Sequence, residues 1–192
     1  MTAQPFPVSE IVAAQRPHRK DAARNYDALL AAAREAFAEH GSEASLEDIA
    51  RRAGVGIGTL YRNFPTRRAL FESVYASEVN ALCQFALDVA DREPWEALTS
   101  WLNRFAGYVT TKQAVRQALE NESEIFGTCR ESMFSAGGPL FERAQKAGVA
   151  RTDMDFGDLL RLVAGVTGTK FTDDAQRDRV LAIALDGVRT NH

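Results

Sequence analysis

The sequence predicts an all-α chain of about nine helices. Three observations predict it. No segment shows the strict apolar–polar alternation of a half-buried strand, and apolar residues recur at three- and four-residue steps along most of the chain. The periodic stretches are also bounded by capping residues in front and by Gly or Pro behind. The 192 residues, 45% apolar and 26% charged, have the composition of a folded protein with ample length for a core.

The elements follow in order. Residues 1–20 carry Pro5, Pro7 and Pro17 with little periodicity, so they read as a flexible arm, basic at its end through Arg16, His18, Arg19 and Lys20. From Asp21 to His40 the apolar positions Tyr26, Leu29, Ala33 and Phe37 keep the helical period, and Gly41 supplies the stop. Ser45 is placed to cap a second helix, with Asp48 three residues on, and Gly54 ends it. A short helix from Ile57 to Phe64 meets Pro65, and Thr66 is placed to cap a long one carrying Leu70, Val74, Val79 and Leu82. Pro94 opens the next, with Trp95, Leu98, Leu102 and Phe105 on one face. Further segments are expected around Gln113–Asn121 and Glu124–Phe134. Ala136-Gly-Gly-Pro139 is expected to break the pattern before it resumes over Leu140–Ala147. Asp155 and Asp173 or Asp174 are candidate caps for two final helices.

Charge and cysteine usage narrow the function classes. The net charge is −3, but residues 1–70 sum to +2 and the remainder to −5, which suggests two jobs in one chain. Cys83 and Cys129 have neither the number nor the spacing of a metal site or a disulfide framework, and His18, His40 and His192 are scattered. No metal or cofactor is expected. No apolar run approaches the roughly 20 residues that span a bilayer, and the first 20 residues lack a signal-peptide pattern, so a cytoplasmic protein with no membrane partner is expected.

The stretch AGVGIGTLYRNF, residues 53–64, decides between two chemistries. A phosphate cradle needs a strand before its glycines and a long helix after them; here a helix precedes and the following helix has two turns. A helix-turn-helix needs a capped helix, a tight turn with glycine and a short second helix, and the spacing fits. Leu46, Ile49, Ala50 and Val55 would pack against Leu60 and Phe64. That arrangement turns Ile57, Gly58, Thr59, Tyr61, Arg62 and Asn63 outward, side chains suited to phosphates and base edges. The alternative is a plain helical hairpin.

These residues carry a resemblance. The segment from Ala22 to about Val79 resembles the DNA-binding domain of TetR/AcrR-type bacterial transcriptional regulators, through AFAEHG and SLEDIARRAGVGIGTLYRNFPTRRALF from Ser45 to Phe71. The resemblance implies a DNA-binding domain over 21–81, its helix-turn-helix at 45–64, followed by a larger effector-binding and dimerisation domain over 82–192. It also implies a homodimer on a roughly palindromic double-stranded DNA operator, with heads about one helical turn apart. Carried over position by position, Thr59 and Tyr61 would touch phosphates. Ile57, Gly58, Arg62 and Asn63 would lie near base edges. Ser45 would approach phosphate, Gly56 stands where a Ser or Thr cap is common, and Arg67 stands for the usual lysine on a phosphate. Asn63 departs from the common His or Tyr and leaves the operator sequence open. Arg16, Arg19 and Lys20 either add DNA contacts or form a solvated tail.

For the second domain the resemblance implies a small-molecule effector, whose identity the sequence leaves open. Trp101, Phe105, Tyr108, Phe126, Met133 and Phe134 are the candidate pocket, with Trp95 beside them and Asn103, Lys112, Glu120, Glu124 and Arg161 as polar neighbours; the alternative is core. Leu159, Leu162, Val163, Val166, Leu181, Leu185 and Val188 are the candidate dimer face, against intrachain core. The function expected is a repressor released by its effector. A related regulator governed by a protein partner is the alternative. An enzyme or carrier on a helical bundle is disfavoured, since no nucleophile–base pair or metal cluster stands out.

Overall fold

The computed structural model describes residues 6–118, 124–169 and 171–190, with residues 110–118 as backbone. Among them the chain forms nine α-helices and one 3-10 turn and no strand: α1 Pro7–Gln15, α2 Lys20–His40, the 3-10 turn Gly41–Glu43, α3 Leu46–Arg52, α4 Ile57–Asn63, α5 Arg67–Asp88, α6 Pro94–Ala118, α7 Ile125–Lys146, α8 Phe156–Thr167 and α9 Asp174–Asp186. The all-α expectation holds.

The caps sit where side-chain chemistry places them. Ser45 Oγ accepts from the Asp48 amide at 3.3 Å, and Thr66 Oγ1 from that of Ala69 at 3.0 Å. Asp155 and Asp158 form a reciprocal capping box, and Asp173 Oδ1 accepts from the Gln176 amide at 2.7 Å.

Three expectations fail. Residues 7–15 are not an arm but α1: Pro7 sits in the first turn, where its missing N–H costs nothing, and Val8 is fully buried. α6 runs without a break from Pro94 to Ala118, where two helices were expected; Asn121, the expected end of the second, lies outside the described residues. α7 continues through Gly137, Gly138 and Pro139. A proline inside a helix removes one ladder bond and costs about 3 kcal/mol. Here packing holds the helix together across it, with Met133, Ala136, Leu140 and Phe141 all buried.

The chain divides into two compact units, one of residues 1–80 and 111–130, the other of 81–110 and 131–192. The expected boundary is at 81/82; the described residues among 111–130, expected in the second domain, group with the first unit. In the first unit, α2, α3 and α4 pack on one another around Leu29, Phe37, Ile49, Leu60 and Phe64. Phe37 of α2 stacks on Phe71 of α5 at 4.0 Å and 15°, and Tyr26 packs on Phe64 at 5.0 Å. Within the second unit α8 packs against α9, and Phe156 of α8 meets Trp101 of α6 and Phe141 of α7.

Candidate nucleic-acid interface

The site is built from α3, a four-residue turn and α4. At the end of α3, Gly54 takes φ +69°, the left-handed conformation that favours glycine. The Val55 amide then reaches the Ala50 carbonyl at 3.0 Å and the Gly54 amide that of Arg51 at 3.1 Å, the paired closure of a Schellman turn. This fixes the exit of the chain. α4 begins after Gly56 and is anchored by buried Leu60 and Phe64, so the opposite side of α4 is turned outward.

On that side Ile57 is 37% exposed and Tyr61 47%, both unusually open for large apolar or aromatic residues, and Gly56, Gly58 and Arg62 are exposed with them. Thr59 is half-buried. A Cβ added at Gly56 or Gly58 would meet nothing within 4 Å, and neither has a positive φ. The fold therefore requires glycine at 54 but not at 56 or 58. Arg62 lies back along its own helix, Nη2 donating to Thr59 Oγ1 at 2.8 Å and Nε to the Gly58 carbonyl at 3.3 Å. No carboxylate neutralises it among the described residues.

Other expected contacts are engaged elsewhere. Asn63 is half-buried and donates Nδ2 to the Thr59 carbonyl at 2.8 Å; it lines a notch with Gln15, Tyr26, Glu72 and Ser73. One N–H of its side-chain amide is thereby engaged on its own helix. Ser45 is exposed, capping α3 while its hydroxyl donates to Glu47 Oε2 at 2.9 Å. Arg67 is half-buried, donating Nη2 to the Ala44 carbonyl at 2.5 Å and to that of Ser42. Arg16 forms a two-pronged pair with Asp27 at 2.9 and 2.6 Å, which leaves Arg19 and Lys20 as the exposed basic pair beside it.

A clamp that the sequence reading missed holds α3 to α2. Arg52 donates Nη1 and Nη2 to Glu39 at 2.9 and 2.6 Å and Nε to Asp48 at 2.6 Å. The Arg52 hydrogen bond holds the Glu39 carboxyl below its usual range, and those of Arg52 and then Arg51 do the same for Asp48; Arg52 is raised in turn. The Asp48–Arg52 spacing of four was visible in the sequence; Glu39, thirteen residues from Arg52, was not.

The second unit revises two residue sets. Trp101, Phe105, Tyr108 and Met133 are buried. Trp101 stacks on Phe105 at 5.7 Å and donates Nε1 to the Leu82 carbonyl at 3.1 Å. Phe134 is exposed, edge-on to Phe156 at 5.4 Å. Phe126 is not with them; it belongs to the first unit, edge-on to Tyr75 at 5.0 Å. Of the polar neighbours, Asn103, Glu124 and Arg161 are exposed, Glu120 lies outside the described residues, and Lys112 is described as backbone. Of the expected dimer face, Leu159, Val163, Leu181, Leu185 and Val188 are buried within their own chain. Leu162 is 37% exposed and Val166 half-buried; Val180 and Ile183, the latter 71% exposed, join them as outward apolar residues of α8 and α9. The apolar stripes were legible, but which half of each faces inward depends on neighbours the stripe does not name.

No described helix is long and apolar enough to cross a membrane, and no three described side chains group as a metal site. Residues 29–74 match a family model described as bacterial regulatory proteins, tetR family; residues 93–190 match one described as transcriptional regulator SbtR-like, C-terminal domain. The structure is similar to that of a TetR transcriptional regulator, SCO0520 of Streptomyces coelicolor: 41% identity over 87% of this chain and 99% of that one, TM-score 0.75. It is also similar to a TetR transcription regulatory protein of Mycobacterium vanbaalenii, with 30% identity over 91% and 100% of the two chains and TM-score 0.71. Among curated sequences, an HTH-type transcriptional regulator of Mycobacterium bovis, Mb2274c, is 29% identical over 72% of this chain and 74% of its own.

Proposed function

The chain belongs to the TetR family of bacterial regulatory proteins, DNA-binding transcriptional regulators rather than enzymes, and from that premise we propose that it is a homodimeric repressor released from a palindromic operator by a small-molecule effector. The observation that carries the DNA-reading part is the outward side of α4. Gly56 and Gly58 serve no need of the fold, and between and beyond them stand Ile57, Thr59, Tyr61 and Arg62. Bare backbone at both positions lets α4 approach the floor of a major groove. Tyr61 and Thr59 then donate hydroxyls to phosphates, while Arg62 swings off Thr59 to fork onto a guanine edge. Ser45 sits at the rim. Asn63, already bonded to the Thr59 carbonyl, contributes to the shape of α4 more than to reading.

Dimerisation through α8 and α9 is supported by Leu162, Val166, Val180 and Ile183, apolar side chains that their own chain leaves partly or largely uncovered. Effector release is supported by family membership and by the apolar group Trp101, Phe105, Tyr108, Met133 and Phe134 in the second unit. The helix α5 supplies residues to both units. An effector that prefers one placement of α5 shifts the operator-binding equilibrium by its differential affinity alone. The protein acts in the cytoplasm, where its operator is. The test is selection of bound fragments from bacterial genomic DNA, footprinting, and titration with metabolites handled by the neighbouring genes. Failure to select any fragment sinks operator binding. An operator whose occupancy no such metabolite changes sinks the release step and leaves DNA binding standing.

A further inference from the structure

We infer that Arg67 is a positioning residue for the reading pair α3–α4, a clamp on the loop between α2 and α3, and not a phosphate ligand. The inference rests on the DNA-reading assignment of α4. Arg67 is the first residue of α5, and its side chain turns back under residues 41–45. Nη2 donates to the Ser42 carbonyl and, at 2.5 Å, to the Ala44 carbonyl, so both of its hydrogens are committed. The guanidinium lies 5.5 Å from the centre of the Phe71 ring, which itself stacks on Phe37 of α2. Half-buried between an aromatic face and two carbonyls, this cation is placed to hold protein backbone.

What it holds matters for reading. Ala44 is buried and is followed at once by Ser45, the cap of α3. α3 is thus fastened near its start by Arg67 of α5 and near its end by Arg52 on Glu39 of α2. The Schellman closure at Gly54 then passes the orientation of α3 to α4. A lysine at 67 keeps the charge and has donors enough for both carbonyls, but its compact ammonium has no planar face to lie on the Phe71 ring while it makes them.

The two roles separate because phosphate contacts carry no sequence information and each adds to the salt dependence of binding. The probe is a 30-base-pair duplex selected by the wild-type protein from a randomised library, beside a scrambled duplex of the same composition, each titrated over a range of salt. For both Arg67→Lys and Arg67→Met we expect affinity for the selected duplex to fall about tenfold. Affinity for the scrambled duplex and the slope of log K against log salt should stay at wild-type values. Arg67→Lys, with its stem and charge intact, carries the test if Arg67→Met does not fold. The inference is overturned if Arg67→Lys binds like wild type while Arg67→Met loses both duplexes and about 0.9 of the slope, the mark of one phosphate contact. It is equally overturned if both variants keep wild-type affinities and only melt earlier. A wild-type chain that selects no duplex overturns both the inference and the operator-binding reading beneath it.

Discussion

Gly137 and Trp101 touch where no side chain fits between them. A Cβ at Gly137 would lie 2.7 Å from Cη2 of Trp101 and 2.5 Å from Cζ of Phe156. Trp101 is fully buried and its indole N–H is fixed on the Leu82 carbonyl, so it has no room to withdraw. The glycine therefore marks a close approach of α7 to α6 and α8 inside the second unit.

Its neighbour supplies the contrast. Beyond its two chain neighbours, a Cβ at Gly138 meets nothing within 4 Å, and Gly138 lies in the same helix without a positive φ. Gly137→Ala is expected to destabilise by about 1–3 kcal/mol through overpacking. Gly138→Ala is expected to change stability by less than about 1 kcal/mol, since the better helix propensity of alanine is opposed by the crowding of its Cβ against the following Pro139. Urea unfolding of the two variants decides it, and equal shifts of the same sign would refute the packing account.

Arg62 and Tyr61 should separate by what they read. Arg62→Ala removes the only side chain on the exposed side of α4 able to fork onto a guanine. We expect it to cost about 1–3 kcal/mol on the selected duplex and to flatten preference at one base position. Tyr61→Phe removes a hydroxyl and nothing else. It is expected to weaken selected and scrambled duplexes by the same few-fold factor, about 0.5–1.5 kcal/mol, with the salt slope unchanged because the lost group is neutral. Repeating the library selection with each variant is the check; a changed consensus with Tyr61→Phe would exchange their roles.

The legible and illegible parts of the chain divide along a physical line. Ser45, Thr66, Asp155 and Asp173 announced their helices because a cap acts within three residues of itself. The Gly54 turn was legible for the same reason. Pro139 misled because local propensity argued for a break, while the buried residues on either side of it outweigh one missing bond. α1 was missed because nine residues with three prolines nearby show no period; what orders it is burial of Val8 and the bond from Ser9 Oγ to Asn80 at 2.7 Å, distant in sequence. Arg67 is expected at a phosphate by analogy of charge, and its hydrogen bonds to the Ser42 and Ala44 carbonyls have no sequence signature at all.

Self-association should depend on the outward residues of α8 and α9 and not on the inward ones. Ile183→Arg places a charge on a side chain that is 71% exposed, so the fold should melt within about 0.5 kcal/mol of wild type. The dimer dissociation constant should rise by at least about tenfold, because a charge enters an apolar contact. Leu185→Arg, buried in its own chain, should instead unfold the protein. Sedimentation equilibrium with circular dichroism reads both, and a fully dimeric Ile183→Arg would place the interface elsewhere.

Cys83 should be chemically silent. It is fully buried, and burial pushes its thiol up to about 12, so the thiolate is a negligible fraction at pH 8. Cys129 is buried too. Thiol titration of the native protein with an aromatic disulfide at pH 8 should show neither cysteine reacting faster than unfolding exposes it. A rapid reaction that Cys83→Ser abolishes would instead show a reactive thiol.

The clamp on α3 sets an acid limit to stability, and its sign follows from the direction of the shifts. Glu39 and Asp48 are held below their usual values in the folded state by Arg52. A carboxylate depressed on folding contributes stability in full above its unfolded pKa, about 4, and loses it as pH falls through the lower folded value. The midpoint of unfolding should therefore be flat from about pH 8 to 5.5 on account of this clamp and decline below about pH 4. Arg52→Gln removes the cation that causes the depression. It should lower the melting temperature at pH 7, and the gap from wild type should narrow as pH falls through the depressed folded values of the two carboxylates. Glu39 is exposed and Asp48 half-buried, so solvent reaches the clamp and added salt should narrow the pH 7 gap as well. A gap equally wide at pH 3 and pH 7 would mean that Arg52 stabilises α3 by packing its stem rather than by charge.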